Sequence, residues 1–368
     1  MKIAIDVRSA AGERAGKGWY TFNLVQKLLE LEQKSGSKNE YLLYTKAGIP
    51  GLHDFPNARL KMISGRGVFW HMKVARDVQN EGCDLFFGPS SYITPSFIKA
   101  PTRVVFSVHD LVAFLFPGNH NKKATIIERL FLKRALKRAD QVFTVSEHTK
   151  KDLLNLFDYE ENKIMVLPCA AASDFKPLPP EDLQEFAQKE KIPKKFFLAV
   201  GTILPRKNYL RLLRAFAKVA AMDSQLHLII IGGPGWKYKE VRDEVRRLYL
   251  QKKVHFLGYV SGKSLVRFYN LALALVFPSL YEGFGIPPLE AMQCGCPVIA
   301  SNISSIPEVV GEAALMVDPE NAQDIGGAMI KILKDSALQQ SLKTKGQEQA
   351  QKFSWKRGAE KLQKLLSK

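Results

Sequence analysis

Two glutamates stand close together in the stretch SLYEGFGIPPLEAMQCGCPVIAS, residues 279 to 301, where the other residues are mostly glycine, proline and apolar. Glu282 lies in a glycine-flanked loop, and Glu290 follows Pro287 and Pro288, which suit the first turn of a helix. A carboxylate can accept both hydroxyls of a cis-diol such as a ribose. Glu290 has a structural alternative, because an acidic residue in a first turn stabilises the helix dipole. That alternative does not explain Glu282.

Two adjacent cations, Arg206 and Lys207, follow a short apolar run in VGTILPRKNYLRLLRAF. A guanidinium fork and an ammonium at the end of a strand can hold a diphosphate. We expect Asn208 to cap the helix that follows. The alternative is an ordinary solvated pair of charges, since charge runs usually face water.

Glycines cluster after the first apolar run, in RSAAGERAGKGWYTFNLVQKLLEL. We expect Gly12, Gly16 and Gly18 to lie between a strand and a helix, where backbone can approach a phosphate or a sugar hydroxyl closely. The spacing is not G-x-G-x-x-G and no acidic residue closes the next strand, so a dinucleotide fingerprint is not met. A flexible turn is the alternative.

The elements that must position these residues are short apolar strands that alternate with amphipathic helices, the pattern of parallel sheets. A proline-rich, charged segment at 175 to 195 interrupts the pattern and is predicted to be a connector. We therefore predict an α/β protein with two doubly wound, Rossmann-like domains, whose site lies where the carboxyl ends of the strands face each other. The predicted strands are 2–6, 40–45, 59–64, 84–90, 103–110, 141–146, 163–168, 196–203, 226–233, 254–258, 274–279, 297–301 and 314–318.

Composition narrows the class of protein. The chain has 368 residues and a formal net charge of +18, which suits two domains and an anionic partner. No apolar run reaches the length of a membrane span and no signal peptide is evident, so we expect a cytoplasmic protein. We expect Cys83, Cys169, Cys294 and Cys296 to be reduced packing residues, because their spacing fits neither a disulfide framework nor zinc. Zinc spacings, RNA-binding aromatic motifs and basic tails are missing, so nucleic acid is not an expected partner.

Several motifs together resemble one family. EGFGIPPLE is similar to the E-x7-E motif of retaining GT-B glycosyltransferases of family four, and GTILPRKN, VHDL, GKGWYTFNL and CGCPVIAS resemble four other segments of that family, in the same order. The resemblance runs from about residue 2 to residue 355. It implies a GT-B fold with an acceptor domain at 1–175, joined by a returning helix at 353–368, and a donor domain at 176–352.

The resemblance also implies roles for individual residues. Glu282 would face the donor sugar and stabilise positive charge on its ring, with His109 against the same sugar. Arg206 and Lys207 would neutralise the diphosphate, and Glu290 would hold the ribose. The remaining donor contacts are Gly283, Phe284, Gly285, Ile286, Gly201, Thr202, Gly16 and Gly18, with Tyr259 and Val260 at the base.

The expected reaction is transfer of a hexosyl group, mannose-like, from a GDP- or UDP-linked sugar to a glycan or lipid-linked acceptor in surface polysaccharide or glycoconjugate synthesis. No D-x-D sequence occurs, so we expect neither a metal nor any other cofactor. The alternative function is a related nucleotide-sugar protein, an epimerase or a binder that does not transfer. A basic segment, 121–141, is expected to have one broad apolar face, made by Ile126, Ile127, Leu130, Phe131, Leu132 and Leu136. It is expected to be a domain helix, with weak contact to the inner face of an anionic membrane as a further hypothesis.

Overall fold

The computed structural model describes residues 1–12, 14, 16–116 and 122–366 of the chain. Contacts between residues divide it into two units, Met1–Ala170 with Ser354–Lys368, and Ala171–Phe353. The sequence placed these boundaries a few residues away, at 175 and 352. Each unit has its own parallel sheet, as the alternation of strands and helices predicts.

The first unit is built on a sheet of seven parallel strands. The order across the sheet is β3-β2-β1-β4-β5-β6-β7, so the direction of winding reverses between β1 and β4. Such a reversal opens a crevice at the carboxyl ends of the two strands, where ligands of this class of sheet bind. The strands are β1 Lys2–Asp6, β2 Glu40–Thr45, β3 Ala58–Met62, β4 Leu85–Gly88, β5 Arg103–Val108, β6 Gln141–Thr144 and β7 Ile164–Val166.

Six helices belong to the described part of the first unit: α1 Gly16–Lys34, α2 Gly67–Asn80, α3 Val112–Leu115, α4 Lys122–Arg138, α5 Glu147–Leu156 and α14 Trp355–Leu366. The last of these returns from the far end of the chain and packs on α1. Trp355 meets Tyr20 edge to face at 5.6 Å between ring centroids. Gln363 donates to Glu32 Oε1 over 2.7 Å. Helix α5 is capped by Ser146, whose Oγ accepts from the Thr149 N–H at 3.0 Å.

Helix α4 divides its apolar residues between two environments, which corrects the single broad face expected from the sequence. Phe131, Leu132 and Leu136 are buried in the unit. Ile126 is 66% exposed and Leu130 is 63% exposed, with Ile127 beside them. Successive residues of a helix are too far apart in angle for all six to face the sheet.

The second unit has six parallel strands in the order β10-β9-β8-β11-β12-β13. Winding reverses between β8 and β11, which pair directly. The loops after these two strands are therefore neighbours at the carboxyl edge of the sheet. The strands are β8 Lys195–Val200, β9 Leu226–Ile231, β10 Val254–Gly258, β11 Ala274–Phe277, β12 Val298–Ser301 and β13 Leu315–Val317.

The helices of the second unit are α6 Pro180–Lys189, α7 Tyr209–Ala220, α8 Tyr238–Arg247, α9 Gly262–Leu271, α10 Ile286–Gln293, α11 Ile306–Val310, α12 Ala322–Lys334 and α13 Ser336–Ala350. The segment at 175 to 195 was predicted to be a connector between domains, but it lies inside the second unit and contains α6. Pro180 occupies its first position and Glu181 and Asp182 its first turn, all favourable there. Phe186 then packs on Phe268 of α9 at 5.4 Å.

The four cysteines are all buried and unpaired, which confirms the prediction of packing residues. Cys294 is the C-cap residue of α10, and Gly295 follows it with a left-handed backbone, φ +73°, which is common just after a helix end.

Candidate functional site

The loop after β8 carries Arg206 and Lys207 on a short 3₁₀ turn, Pro205–Lys207. Asn208 ends that turn with a left-handed backbone, φ 62°, and is 4% exposed. Asn208 is the N-cap residue of α7, as predicted, but its side chain makes no cap hydrogen bond to that helix. The Nδ2 group donates instead to the carbonyl oxygens of Pro278 at 3.0 Å and Pro319 at 2.6 Å. Asn208 thus ties the cation-bearing loop to the loops that follow β11 and β13.

Gly201 makes room for one of the two cations. Its φ is +139°, and a Cβ placed on it would lie 3.2 Å from Lys207 Cε. Its carbonyl accepts a hydrogen bond from the Tyr209 hydroxyl at 2.7 Å. A larger residue here would be strained and would crowd the Lys207 side chain.

Glu282 lies between the two cations. Its Oε2 is 2.8 Å from Arg206 Nη1 and its Oε1 is 2.7 Å from Lys207 Nζ. The Lys207 ammonium also lies 4.5 Å from the centre of the Phe277 ring. Burial favours the protonated acid, but Lys207 and Arg206 outweigh it and hold the pKa of Glu282 below its usual value. The three side chains form a partly buried ionic cluster, and the sequence did not predict the contacts between them.

The backbone around Glu282 is held by serines of the loop between β12 and α11. The Glu282 N–H donates to Ser304 Oγ at 3.0 Å. The Ser305 Oγ lies 2.8 Å from the carbonyl oxygens of both Glu282 and Phe284. Sequence reasoning missed both serines, although two hydroxyls at the end of a predicted strand, in SNISSIPEVV, are a signal that such a loop is hydrogen-bonded.

The start of α10 lies in the same loop. Gly285 has φ 115°, and a Cβ on it would come within 2.7 Å of Ile306 Cδ1. Phe284 is buried and meets the Phe353 ring at 5.6 Å. The predicted backbone donors Gly283, Phe284, Gly285 and Ile286 therefore form the turn that enters the helix. The N-terminus of α10 adds a partial positive charge at this edge.

Glu290 lies in the second turn of α10, and the helix has no acidic residue in its first turn. This removes the helix-dipole explanation for Glu290. The side chain is half-buried, and its Oε2 accepts a hydrogen bond from the Tyr269 hydroxyl at 2.9 Å. Burial raises the pKa of Glu290 to about 7, although the Tyr269 hydrogen bond opposes the rise. Tyr269 was also missed by the sequence analysis.

The loops after β9 and β10 bring a third part of the predicted site to this edge. Tyr259 is 70% exposed, and its hydroxyl lies 3.4 Å from Thr202 Oγ1. A Cβ on Gly233 would lie 2.4 Å from the Tyr259 ring, so the glycine lets the ring approach the loop closely. Val260 follows directly, before α9. An exposed aromatic ring on a glycine loop offers a face on which a flat group can stack.

The first unit holds the other predicted residues. His109 follows β5, and its Nε2 is 2.7 Å from the Pro89 carbonyl, so that nitrogen carries the proton. The ring meets Tyr20 edge to face at 4.5 Å. Burial, with the Lys17 charge, lowers the pKa of His109 to about 4, so the imidazole is neutral at pH 7.

Gly16 and Gly18 lie in the first turn of α1, which corrects their predicted place in a loop. A Cβ on Gly18 would approach the Ser9 carbonyl oxygen to 2.5 Å. Close packing of α1 on the segment after β1 therefore explains this glycine. Nothing lies within 4 Å of a Cβ on Gly16, so the helix start is open there.

The second unit thus gathers Arg206, Lys207 and Glu282 in direct contact, with Glu290 on the adjoining helix. Thr202, Tyr259 and Val260 lie on loops at the same edge of the sheet. Within the described ranges, no three His, Cys, Asp or Glu side chains gather in a way that would hold a metal ion. Chemically, the cluster offers cations and a helix start to a diphosphate, and carboxylates to hydroxyls.

Comparison with known proteins gives two family matches. Residues 181–349 match the model described as glycosyl transferases group 1, and residues 35–174 match glycosyltransferase family 4. The O-antigen chain mannosyltransferase B of Escherichia coli is 33% identical over 298 residues, covering 80% of this chain and 75% of that protein. The E. coli mannosyltransferase WbdA is 31% identical over 70% of this chain, but this chain spans only 32% of that longer protein.

A solved structure shares the fold over the whole chain. HepE from Anabaena, in complex with UDP-glucose, superposes with a TM-score of 0.79 at 18% identity, covering 100% of this chain and 99% of that chain. Two parallel-sheet domains, the two family matches and the identity to mannosyltransferase B agree. This chain belongs to the GT-B glycosyltransferases, with a family 4 domain in its first half and a group 1 domain in its second.

Proposed function

We propose that this glycosyltransferase transfers a mannosyl group, with retention of configuration, from a GDP- or UDP-linked mannose to a glycan or lipid-linked acceptor in surface polysaccharide synthesis. The names of the relatives support mannose and O-antigen chains, and the UDP-glucose bound by HepE supports a nucleotide-sugar donor. The observation that carries the proposal is the cluster of Arg206, Lys207 and Glu282 at the switch point between β8 and β11.

Arg206 and Lys207 bind the donor diphosphate in this proposal. Breaking the bond between the sugar C1 and the diphosphate leaves the electron pair on a phosphate oxygen. Two fixed cations and the N-terminus of α10 stabilise that charge as it develops. Because they act in a partly buried site, they act more strongly than they would in water.

Glu282 has two parts in the proposal. It orients both cations through its carboxylate oxygens, and it counters the positive charge that builds at the sugar ring as the C1–oxygen bond breaks. The second part follows the family resemblance, and the first follows the distances of 2.8 and 2.7 Å to the cations. Loss of its charge is therefore expected to slow the chemical step.

Glu290 accepts the ribose hydroxyls, and Tyr259 and Val260 contact the base. Gly201, Thr202, Gly283, Phe284, Gly285 and Ile286 supply backbone and hydroxyl contacts. The family resemblance gives His109 a place against the donor sugar and makes Gly16 and Gly18 donor contacts, although all three belong to the first unit, which takes the acceptor in this proposal. A neutral His109 suits a hydrogen bond to a sugar hydroxyl better than a salt bridge to a phosphate.

The reaction is proposed to need no metal, because Arg206 and Lys207 supply the positive charge that a divalent ion would otherwise bring. The direct test of the function combines purified protein, GDP-mannose or UDP-mannose, and an acceptor glycan ending in mannose, with and without EDTA. We expect an α-linked product from an α-linked donor, read by proton NMR, in both samples. Binding of the sugar nucleotide without transfer to any acceptor would favour the epimerase or binder alternative.

Contact with an anionic membrane remains part of the proposal for α4. No helix in the described residues is long and apolar enough to cross a bilayer. The exposed Ile126, Ile127 and Leu130 lie on a helix with several basic residues, a combination that suits the surface of an anionic bilayer. Vesicles of phosphatidylglycerol are expected to sediment the protein at low salt. If the vesicles do not sediment the protein, the proposed membrane contact of α4 is wrong.

A further inference from the structure

Tyr269 of α9 places a hydroxyl group inside the second unit, directly on a carboxylate. The residue is fully buried, and its ring packs on Phe175 at 5.9 Å between centroids. Its hydroxyl donates to Glu290 Oε2 at 2.9 Å. A phenylalanine would fill the same space and make the same ring contact. The hydroxyl therefore matters for Glu290 and not for packing.

Glu290 has one oxygen engaged and one oxygen available. Tyr269 holds Oε2, and no hydrogen bond from the described residues reaches Oε1. The Glu290 side chain is half-buried, and burial favours its protonated form. The hydrogen bond from Tyr269 favours the ionised form and offsets part of that effect. A carboxylate accepts two neighbouring hydroxyls best when it is ionised, because all its lone pairs are then available, and when it is held in one orientation. The Tyr269 hydrogen bond favours both conditions.

The other titratable groups around Glu290 neither keep it ionised nor fix its orientation. Cys294 ends α10 and Cys296 precedes β12, and burial raises the pKa of both thiols, that of Cys296 to about 12. They are neutral at pH 7. Lys343 of α13 acts on Cys296 and not on Glu290. Within the described part of the chain, no cation forms an ion pair with Glu290.

We propose that Tyr269 is a positioning residue for the donor, whose hydroxyl holds one oxygen of Glu290 so that the other meets the ribose hydroxyls. The inference rests on the proposed function, which places the ribose at Glu290. Its consequence is selectivity for ribonucleotides over 2′-deoxyribonucleotides. Discrimination of this kind arises when a site built to pair with a hydroxyl is left unpaired by the analogue that lacks it.

Tyr269→Phe removes only the hydroxyl, and Tyr238→Phe is its matched control. Tyr238 lies on α8 against Phe256 and has no side-chain hydrogen bond among the described residues. Titration calorimetry would compare GDP, UDP and ADP with their 2′-deoxy counterparts between pH 6 and pH 9. At each pH, the dissociation constant of the 2′-deoxynucleotide is divided by that of the ribonucleotide. Protonation of the phosphates affects both constants alike and cancels in this ratio.

We expect wild type and Tyr238→Phe to prefer the ribonucleotide roughly tenfold or more above pH 7, with the preference falling below about pH 7 as Glu290 takes up a proton. Tyr269→Phe should lose most of that preference at pH 7. Its midpoint should move to higher pH, because the lost hydrogen bond favoured the ionised carboxylate. Adding Glu290→Gln to Tyr269→Phe should cost nothing beyond Glu290→Gln alone.

Each failure has a distinct meaning. If Tyr269→Phe keeps the melting temperature, the preference and the pH midpoint of wild type, the positioning role is wrong and the proposed function stands. If Glu290→Gln keeps the preference, the ribose does not lie at Glu290 and that part of the proposed function is wrong. An unfolded Tyr269→Phe, with Tyr238→Phe folded, would make the hydroxyl a requirement for folding and would also overturn the positioning role.

Discussion

At the scale of the residue, Glu282 separates what can be predicted from the sequence from what cannot. Its chemistry, and that of Arg206 and Lys207, follows from residue type and local spacing. Its contact with the two cations does not, because the partners are far apart in the chain and meet only where β8 pairs with β11. The sequence analysis also missed Ser305 and Tyr269, because their partners are distant in the chain and a single hydroxyl has no distinctive local pattern.

Glu282→Gln keeps the size of the side chain and removes its charge. We expect kcat to fall about 100-fold, because the charge acts mainly as the sugar becomes positive. The dissociation constant for the nucleoside diphosphate should change much less than kcat, since both cations remain and the glutamine oxygen can still accept a hydrogen bond from one of them. Glu290→Gln is the contrasting variant, with weaker nucleotide binding as its main effect. Steady-state kinetics with saturating donor measure the first effect, and an unchanged kcat for Glu282→Gln would remove Glu282 from the reaction.

At the scale of the element, the strands were predicted well, because each is a short apolar run between turn residues. The helix α6 was missed, since three prolines and many charges precede or fill its segment. The start of α1 was predicted too late, because glycines have a low helix propensity. Gly18 is nevertheless needed inside the helix, since α1 packs closely on Ser9. In both helices, packing against residues elsewhere in the chain overrides the local propensity.

Gly201→Ala tests whether the loop after β8 positions Lys207. A φ of +139° strains any other residue, and the new Cβ would crowd Lys207 Cε at 3.2 Å. We expect a loss of about 1 to 3 kcal/mol in unfolding free energy and weaker nucleotide binding. Gly327→Ala is the matched control, in the middle of α12 with nothing within 4 Å of its Cβ. It should gain about 0.5 to 1 kcal/mol and bind nucleotide normally. The same stability change in both variants would contradict the account of Gly201.

At the scale of the whole molecule, two doubly wound sheets were predictable because strand and helix periods alternate over the full length. The order of the strands was not, since no local pattern says that β8 pairs with β11 and not with β10. That order decides which loops meet. The division of the chain also depends on α14, whose amphipathic face packs on α1 at the other end of the sequence.

Stability should depend on pH with opposite signs at two carboxylates. The folded pKa of Glu290, about 7, lies above its ordinary value of 4.5, so Glu290 lowers stability as pH rises through that interval. Glu290→Gln should therefore gain stability relative to wild type as pH rises from about 4.5 to 7. Hydrogen bonds from Arg247 and then Arg214 lower the pKa of Glu244 to about 2. Its contribution is present above pH 4.5 and is lost as pH falls toward 2.

Glu244→Gln is thus the matched control, because it should destabilise most above pH 4.5 and least near pH 2. Scanning calorimetry from pH 2 to pH 8 follows both variants against wild type. Differences that stay constant with pH would contradict the protonation states given to the two carboxylates.

The central claim is that the cluster at the switch point of the second sheet binds a nucleoside diphosphate. Titration calorimetry of GDP and UDP on Arg206→Ala tests it most directly, with Arg242→Ala as the control. Arg242 lies on α8 over the Phe256 ring and carries the same charge. The account predicts that Arg206→Ala weakens binding roughly tenfold or more, while Arg242→Ala binds as wild type does. Equal affinity in Arg206→Ala and wild type would contradict the claim.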